Sequence, residues 1–514
     1  MTNYLSNHAI EQFIVSASQM AAIEQRMFNA GMPVAALMEK AAGLAAQRFV
    51  QLYPLSVASK IGVLVGPGHN GGDAAVVARE LHLQGYAVCF YRPLEKGKEL
   101  TQAHLDYAIR LGIPVVESVS ALQDCDVIID GLFGFGMTRP LSGDLATDVD
   151  RINQESLPVV SIDLPSGIHT DTGEVLGTAI KATQTLCLGL WKRAFFQDQA
   201  LAYLGSVELI DVGIPLADVQ AIIEEKDAIK RMSASLARSF LPLPRPLVTH
   251  KYKQGHLLII AGSRQYAGGV ILTGLGARSS GVGMLSIAAP SSLKPMLVNH
   301  LPEALILDCP ETETGAIAQL PDLALDQYSA IAIGPGLTLE ALSLVPPILE
   351  AATPLIIDAD GLNAIAQMNS VKTLKSRSQP TILTPHWGEF RRLFPDLAQE
   401  KADTFETVQT AAKKTNSTIL LKGARTIIAG KQETWGIPES TPALARGGSG
   451  DVLTGLLGGL IAQAHNKKVS ATTLTATAGV WHAQAGILAS QQHSELGVDA
   501  FTLTQYLRQF PGEQ

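Results

Sequence analysis

Two glycine-rich turns in this sequence carry acids where acids can do chemistry. ARGGSGDVLTG spans 445–455. Successive glycine amides at the head of a helix form a nest for an anion, and the helix dipole deepens it. Asp451, within the same turn, can take a proton from an attacking hydroxyl while the nest neutralises a phosphoryl group in transit. The bland alternative is a packing turn before an apolar helix. Walker A is absent, which argues against a P-loop kinase. The second turn, GPGHNGG at 66–72, fits the dinucleotide fingerprint GxGxxG through Gly66, Gly68 and Gly71. An ordinary dinucleotide site needs an acid at the end of the next strand to hold the ribose. Tyr91, Arg92 and Pro93 stand there instead, and Asn70 and Asp73 add polar side chains to the turn.

Two further strand ends point the same way. DVIID at 126–130 ends in Asp130, and PVVSID at 158–163 ends in Asp163, followed by LPSG with Ser166. A lone strand-end aspartate is often only a helix cap. Three strand ends delivering Asn70/Asp73, Asp130 and Asp163/Ser166 to one edge favour a ligand site, because open α/β sheets bind ligands at that edge.

The elements that would position these groups alternate along the chain. Apolar strands are expected at 61–65, 87–92, 126–130, 158–163 and 185–189, with helices at 18–53, 73–84, 101–111 and 145–154. The strands are apolar on both faces, as in a helix-covered parallel sheet. A charged helix over 218–231 leads into a stretch with Pro242, Pro244 and Pro246, which suits neither helix nor central strand. The pattern then restarts, with strands at 256–262, 284–289, 330–334, 354–360, 381–385, 417–423 and 425–430. Helices follow at 268–281, 388–393, 451–464 and 471–490. The expected division is 1–230 and 231–514, two different α/β domains.

Composition agrees. With 514 residues, 46% hydrophobic and 17% charged, the chain can bury large cores and is no disordered polymer. A net charge of -8 disfavours nucleic-acid or anionic-membrane partners. Cys89, Cys125, Cys187 and Cys309 lie far apart, so neither a disulfide framework nor a zinc cluster is expected. The N-terminus lacks the basic and apolar regions of a signal peptide, and no apolar run reaches the ~18 residues of a membrane span.

IVSASQMAAIEQRMFNAG, MEKAAG, GPGHNGGDAAVVAREL, DGLFGFGMTRPLSG and SIDLPSGIHTDTG resemble the NAD(P)H-hydrate epimerase domain over about 15–215. The family's NNGGDG reads HNGGDA here. The resemblance implies a Rossmann-like parallel-sheet domain in which Asn70, Asp130 and Ser166 hold a potassium ion. His69, Asn70, Gly71, Gly72, Asp73, Gly134, Phe135, Gly136, Met137, Thr138, Arg139, Pro140 and Asp163 would hold the hydrated dinucleotide. Lys192, in LGLWKRA, would assist Asp163 in catalysis. The substrate carries a hydroxyl at C6 of a reduced nicotinamide, beside N1. Inverting that centre needs a reversible bond break at C6, of C6–N1 by ring opening or of C6–O by loss of hydroxide, with an acid/base pair to move protons.

HKYKQGHLLIIAGSRQYAGG, AIGPGLT, IIDADGLNAI, ILTPHWGEF, LLKGARTII and the GGSGD turn resemble the NAD(P)H-hydrate dehydratase of the ribokinase-like superfamily, over about 250–510. That resemblance implies a C-terminal ribokinase-like α/β domain. Lys422, Gly423, Ala424, Arg425, Thr426 and Gly450 would contact the adenine nucleotide; Gly269, Gly336, His386 and Asp451 would contact the substrate. His386 alone could equally be a buried structural histidine. Phosphorylating the C6 hydroxyl turns a poor leaving group into a good one, and Mg²⁺ is expected with any nucleotide donor.

Together the resemblances imply a bifunctional repair enzyme acting on NADHX and NADPHX. One domain interconverts R and S epimers; the other dehydrates the S form at the expense of ADP, giving AMP and phosphate. ADP over ATP follows from the fused arrangement alone. The setting implied is cytoplasmic, as a homo-oligomer, without nucleic-acid or membrane partners. Two alternatives stay open: a ribokinase-like small-molecule kinase, and a first domain that only binds nucleotide and regulates the second.

Overall fold

The computed structural model describes residues 10–368, 371–398, 403–464 and 469–510. Residues 1–9, part of the stretch read above for a signal peptide, lie outside them. The chain divides into two compact units, Met1–Ala228 and Ile229–Gln514.

The first unit contains β1 (Phe13–Val15), β2 (Lys60–Val65), β3 (Ala87–Tyr91), β4 (Val115–Val116) and β5 (Val127–Gly131). It continues with β6 (Val159–Ile162), β7 (Gln184–Leu188), β8 (Trp191–Lys192) and β9 (Ser206–Ile210). Seven strands form one parallel sheet in the order β4-β3-β2-β5-β6-β7-β9. The chain reverses direction across the sheet between β2 and β5, which opens a crevice at their C-terminal ends. β1 and β8 make a separate short parallel ladder, pairing Val15 with Lys192. The strands β2, β5, β6 and β7 are buried almost end to end, with apolar clusters packed on both faces of the sheet.

Several expected boundaries move. The helix expected over 18–53 is two helices, Ala17–Asn29 and Val34–Leu52. Gly31, at φ +102°, and Pro33, which caps the second helix, break it. The helix after β2 begins at His69 rather than 73, so His69 to Gly72 form its first turn. The glycines before it serve close packing: a Cβ on Gly66 would lie 1.6 Å from the Leu132 carbonyl oxygen. The charged helix expected over 218–231 ends at Ile222. Ile229–Arg231 is instead a strand, β10, because its ladder partner lies two hundred residues on, beyond any local signal.

The second unit adds β11 (His256–Ile260), β12 (Met284–Pro290), β13 (Leu305–Cys309), β14 (Ala330–Ile333) and β15 (Leu355–Ile357). Then come β16 (Thr381–Leu383), β17 (Thr418–Leu421), β18 (Ile427–Ala429) and β19 (Thr434–Gly436). The strand order is β13-β12-β11-β14-β15-β16-β17-β18-β19-β10. All neighbours are parallel except β17-β18-β19, which fold back as an antiparallel meander. The strand expected over 354–360 stops at Ile357, and Ala359 opens a helix. Asp358 and Asp360 therefore sit at a strand end.

Two helices of this unit, Ala267–Ser280 and Ser449–Gln463, touch backbone to backbone. A Cβ on Gly276 would lie 2.2 Å from the Val452 carbonyl oxygen, and one on Gly455 would lie 1.8 Å from that of Thr273. Only glycine permits this approach. The four cysteines are free; Cys125, Cys187 and Cys309 are buried and Cys89 half-buried. Among the described residues no helix is long and apolar enough to cross a membrane.

Candidate active sites

In the first unit a cavity of about 500 Å³ opens at the strand ends. Its lining includes His69, Asn70 and Asp73 from the helix after β2, Gly134 to Met137 from the loop after β5, and Asp163 and Lys192. Asp163 ends β6 with φ +69°, a strained conformation for a non-glycine residue. Lys192, placed by the β1–β8 ladder, is wholly buried and forms an ion pair with Asp163 Oδ1. It also donates to the Leu188 carbonyl at 2.6 Å. Asp163 Oδ2 accepts the Phe135 amide at 2.9 Å. Burial pulls the Lys192 ammonium down, but the charges of Asp163 and Cys187 and the Asp163 hydrogen bond carry it above the ordinary lysine value. The lysine stays charged and holds Asp163 Oδ1 in place.

Beside this pair, Asp130 and Ser166 bond to each other, and Asn70 and Asp163 both approach Gly134. Asp130 is fully buried and accepts from Ser166 Oγ at 2.6 Å, the Ser166 amide at 2.9 Å, Ser161 Oγ at 2.9 Å and the Leu132 amide at 3.2 Å. Asn70 Nδ2 is buried without a hydrogen-bond partner. A Cβ on Gly134 would lie 3.0 Å from Asp163 Oδ2 and 3.2 Å from Asn70 Oδ1, so the glycine keeps open a space between two oxygens. The donors are hard oxygens around one buried negative charge, which fits an alkali cation and not a thiophilic metal.

Not every expected contact reaches the cavity. Gly71 and Gly72 are buried under the helix turn; a Cβ on Gly72 would strike Met38 Sδ at 2.7 Å. Thr138, Arg139 and Pro140 are exposed and outside the lining. The sequence reading missed Glu24, Lys98 and the apolar face of Met20, Leu37 and Met38, all of which line the cavity. Lys98 Nζ lies 3.3 Å from His69 Nε2.

In the second unit the GGSGD turn heads the Ser449–Gln463 helix, with Gly448 at φ +90° as its cap. Asp451 lies in the first turn, and Gly269 faces it: a Cβ there would sit 3.3 Å from Asp451 Oδ2 and 3.8 Å from the Gly336 amide nitrogen. Burial, followed by the neighbouring charge of Asp358, pushes the Asp451 carboxyl up to about 7. Lys422 donates to Asp358 Oδ1 at 2.8 Å, and Thr454 Oγ1 donates to Asp358 Oδ2 at 2.6 Å. A Cβ on Gly450 would lie 3.4 Å from Lys422 Nζ. Gly423, Ala424, Arg425 and Thr426 continue the chain from Lys422 towards β18 at or near the surface. His386 is not buried. Its side chain is 55% exposed, and Nδ1 caps the Trp387–Leu393 helix by accepting the Gly388 amide at 2.9 Å. Its neighbour Lys422 donates a hydrogen bond from its backbone amide to the Pro385 carbonyl at 2.9 Å.

The sequence reading missed Asp358, Thr454, Glu389 and His482 here. His482 is buried behind the turn, with Nε2 3.0 Å from the Ser449 carbonyl oxygen. Burial first of all pushes it down to about 4, so it is neutral near pH 7. The DADGLN segment was a signal for Asp358; nothing local marks Thr454 or His482.

Comparison with known proteins follows the same division. Residues 34–194 match the family described as YjeF-related protein N-terminus, and residues 257–509 match the family described as NAD(P)H-hydrate dehydratase. The chain is 57% identical to the Bifunctional NAD(P)H-hydrate repair enzyme Nnr of Synechocystis sp., covering 96% of this chain and 94% of that protein. It is 50% identical to the protein of the same name in Thermosynechococcus vestitus, covering 94% of each. Among solved structures, an ADP/ATP-dependent NAD(P)H-hydrate dehydratase from Bacillus subtilis, co-crystallized with ATP/Mg²⁺, is 32% identical. That match covers 55% of this chain and 96% of that one, with a TM-score of 0.47.

Proposed function

Because this chain belongs to the bifunctional NAD(P)H-hydrate repair enzymes, we propose that its first unit epimerises R- and S-NAD(P)HX and its second dehydrates the S form with ADP. One observation, made in each unit, carries the reading: a carboxylate at a strand end or helix head, held beside a lysine that another element delivers.

In the first unit Asp163 and Lys192 handle the protons as the C6–O bond breaks and re-forms. The sealed ion pair and its strained backbone support this, since both aim one carboxylate at the cavity. Asn70, Asp130 and Ser166 hold potassium, whose charge would offset that of the phosphates and the buried Asp130. In the second unit Asp451 accepts the C6 hydroxyl proton as that oxygen attacks the β-phosphoryl group of ADP. The Gly447 to Gly450 turn stabilises the moving phosphoryl, AMP leaves, and loss of the C5 proton and phosphate restores the nicotinamide. Lys422 faces the phosphates and Gly450 lets them approach it. Mg²⁺ would enter with the nucleotide, and among the described residues no three acidic, histidine or cysteine side chains group closely enough to hold a metal ion by themselves. The net charge of -8 supports a small-molecule enzyme of the cytoplasm without nucleic-acid partners.

The test is incubation with mixed NADHX epimers, with and without ADP, following the absorbance of restored NADH. Complete recovery of both epimers with ADP is expected. ADP turnover with a simple alcohol but not with NADHX would make the second unit a small-molecule kinase. Replacing potassium by a bulky organic cation at fixed ionic strength should slow epimerisation only; an unchanged rate would remove the cation site.

A further inference from the structure

The helix Ala17–Asn29 turns one face to the epimerase cavity, through Met20, Ala21, Glu24, Gln25 and Phe28. Glu24 is the one acid on that face. Among the described residues it makes no hydrogen bond and no close ion pair, although it lines the same cavity as Asp163 and Lys192. A part-buried carboxyl left without a partner in a mostly apolar wall is costly, and such a group is kept where a ligand or a proton needs it. We propose that Glu24 is a second catalytic acid/base of the epimerisation, working across the cavity from the Asp163–Lys192 pair; this rests on the epimerase reading of the unit.

The chemistry needs two such groups. By the hydroxide-loss route, inversion at C6 has the hydroxyl leave one face and water enter the other. Protonated Glu24 gives its proton to the departing hydroxyl, which leaves as water. The N1 lone pair fills the vacated position, making a C6=N1 iminium. Water then adds to the opposite face of C6, its proton passes to Asp163, and the iminium electrons return to N1. One proton has moved from Glu24 to Asp163, and the reverse reaction moves it back. The pair therefore works with one proton between them.

The surroundings suit the role. Burial, opposed by Lys192 and Lys98 and aided by Asp163, brings the Glu24 carboxyl to about 7. Facing it are Lys192 and Asp163 at the strand ends, Asp73 and His69 on the helix after β2, and Lys98 before the helix Glu99–Arg110. Burial, then Asp163 and Glu24, push Asp73 well above the usual carboxylate range. That shift biases Asp73 towards its neutral form.

The experiment uses the full chain without ADP, on NADHX enriched in one epimer, with return to the mixture followed by chromatography and the spontaneous rate subtracted. The parent rate should fall as pH rises through about 7, because Glu24 loses the shared proton. Glu24→Gln should lower kcat by ~10²–10⁴-fold with KM changed only a few-fold, and should lose that limb. Glu24→Asp should retain part of the rate and the limb, and Asp73→Asn should keep the limb. A parent kcat in Glu24→Gln, or a change confined to KM, would overturn the assignment. So would loss of both rate and NADHX binding in Glu24→Gln and Glu24→Asp alike, which marks a structural residue. A parent chain that does not accelerate epimerisation at all overturns the epimerase reading, and this assignment with it.

Discussion

Both units pair a lysine with an aspartate, but they turn the pair opposite ways. In the first, the lysine side chain is 0% exposed and the aspartate 6%. In the second, Lys422 is 23% exposed and Asp358 only 2%. Lys192 stands behind its carboxylate and presents it to the cavity. Asp358 stands behind its lysine, anchored by Thr454, and presents the cation. On the proposed reading, the same two residue types thus make a proton-handling carboxylate in one place and a phosphate-facing ammonium in the other. Which partner is sealed away decides the role. On the proposed reading the second unit then needs a separate base, the part given to Asp451.

The largest expected effect breaks this division of labour. Asp451→Asn keeps the shape of the turn but removes the base, so dehydration should fall ~10²–10⁴-fold while epimerisation continues. Asp163→Asn should do the reverse, consuming the S form and leaving the R form. Loss of both activities in either variant would mean that the sites are not independent. The parent dehydration rate should also carry the signature of Asp451. A base works only when ionised, and this carboxyl titrates near 7. The rate should rise roughly tenfold per pH unit below that point and level off above it. A flat profile from pH 5 to 8 would deny Asp451 the role.

A smaller effect separates the two lysines by stability. Lys192→Met strands a buried carboxylate, which typically costs ~3–5 kcal/mol, and urea unfolding of the first unit should show it. Lys422→Met removes a partly exposed partner and leaves Asp358 its Thr454 bond, so it should cost under ~2 kcal/mol while weakening ADP binding. Equal losses would mean that the two pairs are energetically alike. The smallest effect lies at the boundary. A fragment of residues 229–514 keeps β10 on β19, whereas one starting at 231 cuts that ladder and should be less stable by ~1–2 kcal/mol. Equal midpoints would make β10 dispensable.

The sequence carried what is local. The GGSGD turn, the strand-end aspartates and the alternation of strands and helices all depend on neighbours within about a turn. What it did not carry is partnership across distance. Thr454 reaches Asp358 from ninety-six positions away, and β10 finds β19 from two hundred. Glu24, on an amphipathic helix, reads as an ordinary solvated charge until the fold turns that face inward. Thr138, Arg139 and Pro140 stand exposed beyond the cavity lining, in the same motif whose glycines reach it, and the motif alone does not draw that line. The break at Gly31 and Pro33 was visible in the residues; the long apolar periodicity outweighed it.

The seam between the helices Ala267–Ser280 and Ser449–Gln463 has a further consequence. Gly269 lies on one helix and Asp451 on the other, and the two backbones meet with no side chain between them. Such a joint has no shim. In most cores a lost or added methyl group is absorbed by neighbouring rotamers, but here a methyl at Gly276 or Gly455 has only main chain to push against. The helices would part as rods, and the base would swing away from the glycine opposite it. Tolerance to change in the dehydratase site should therefore be graded by geometry. The exposed side chain of His386 carries no such constraint, while the seam admits almost nothing.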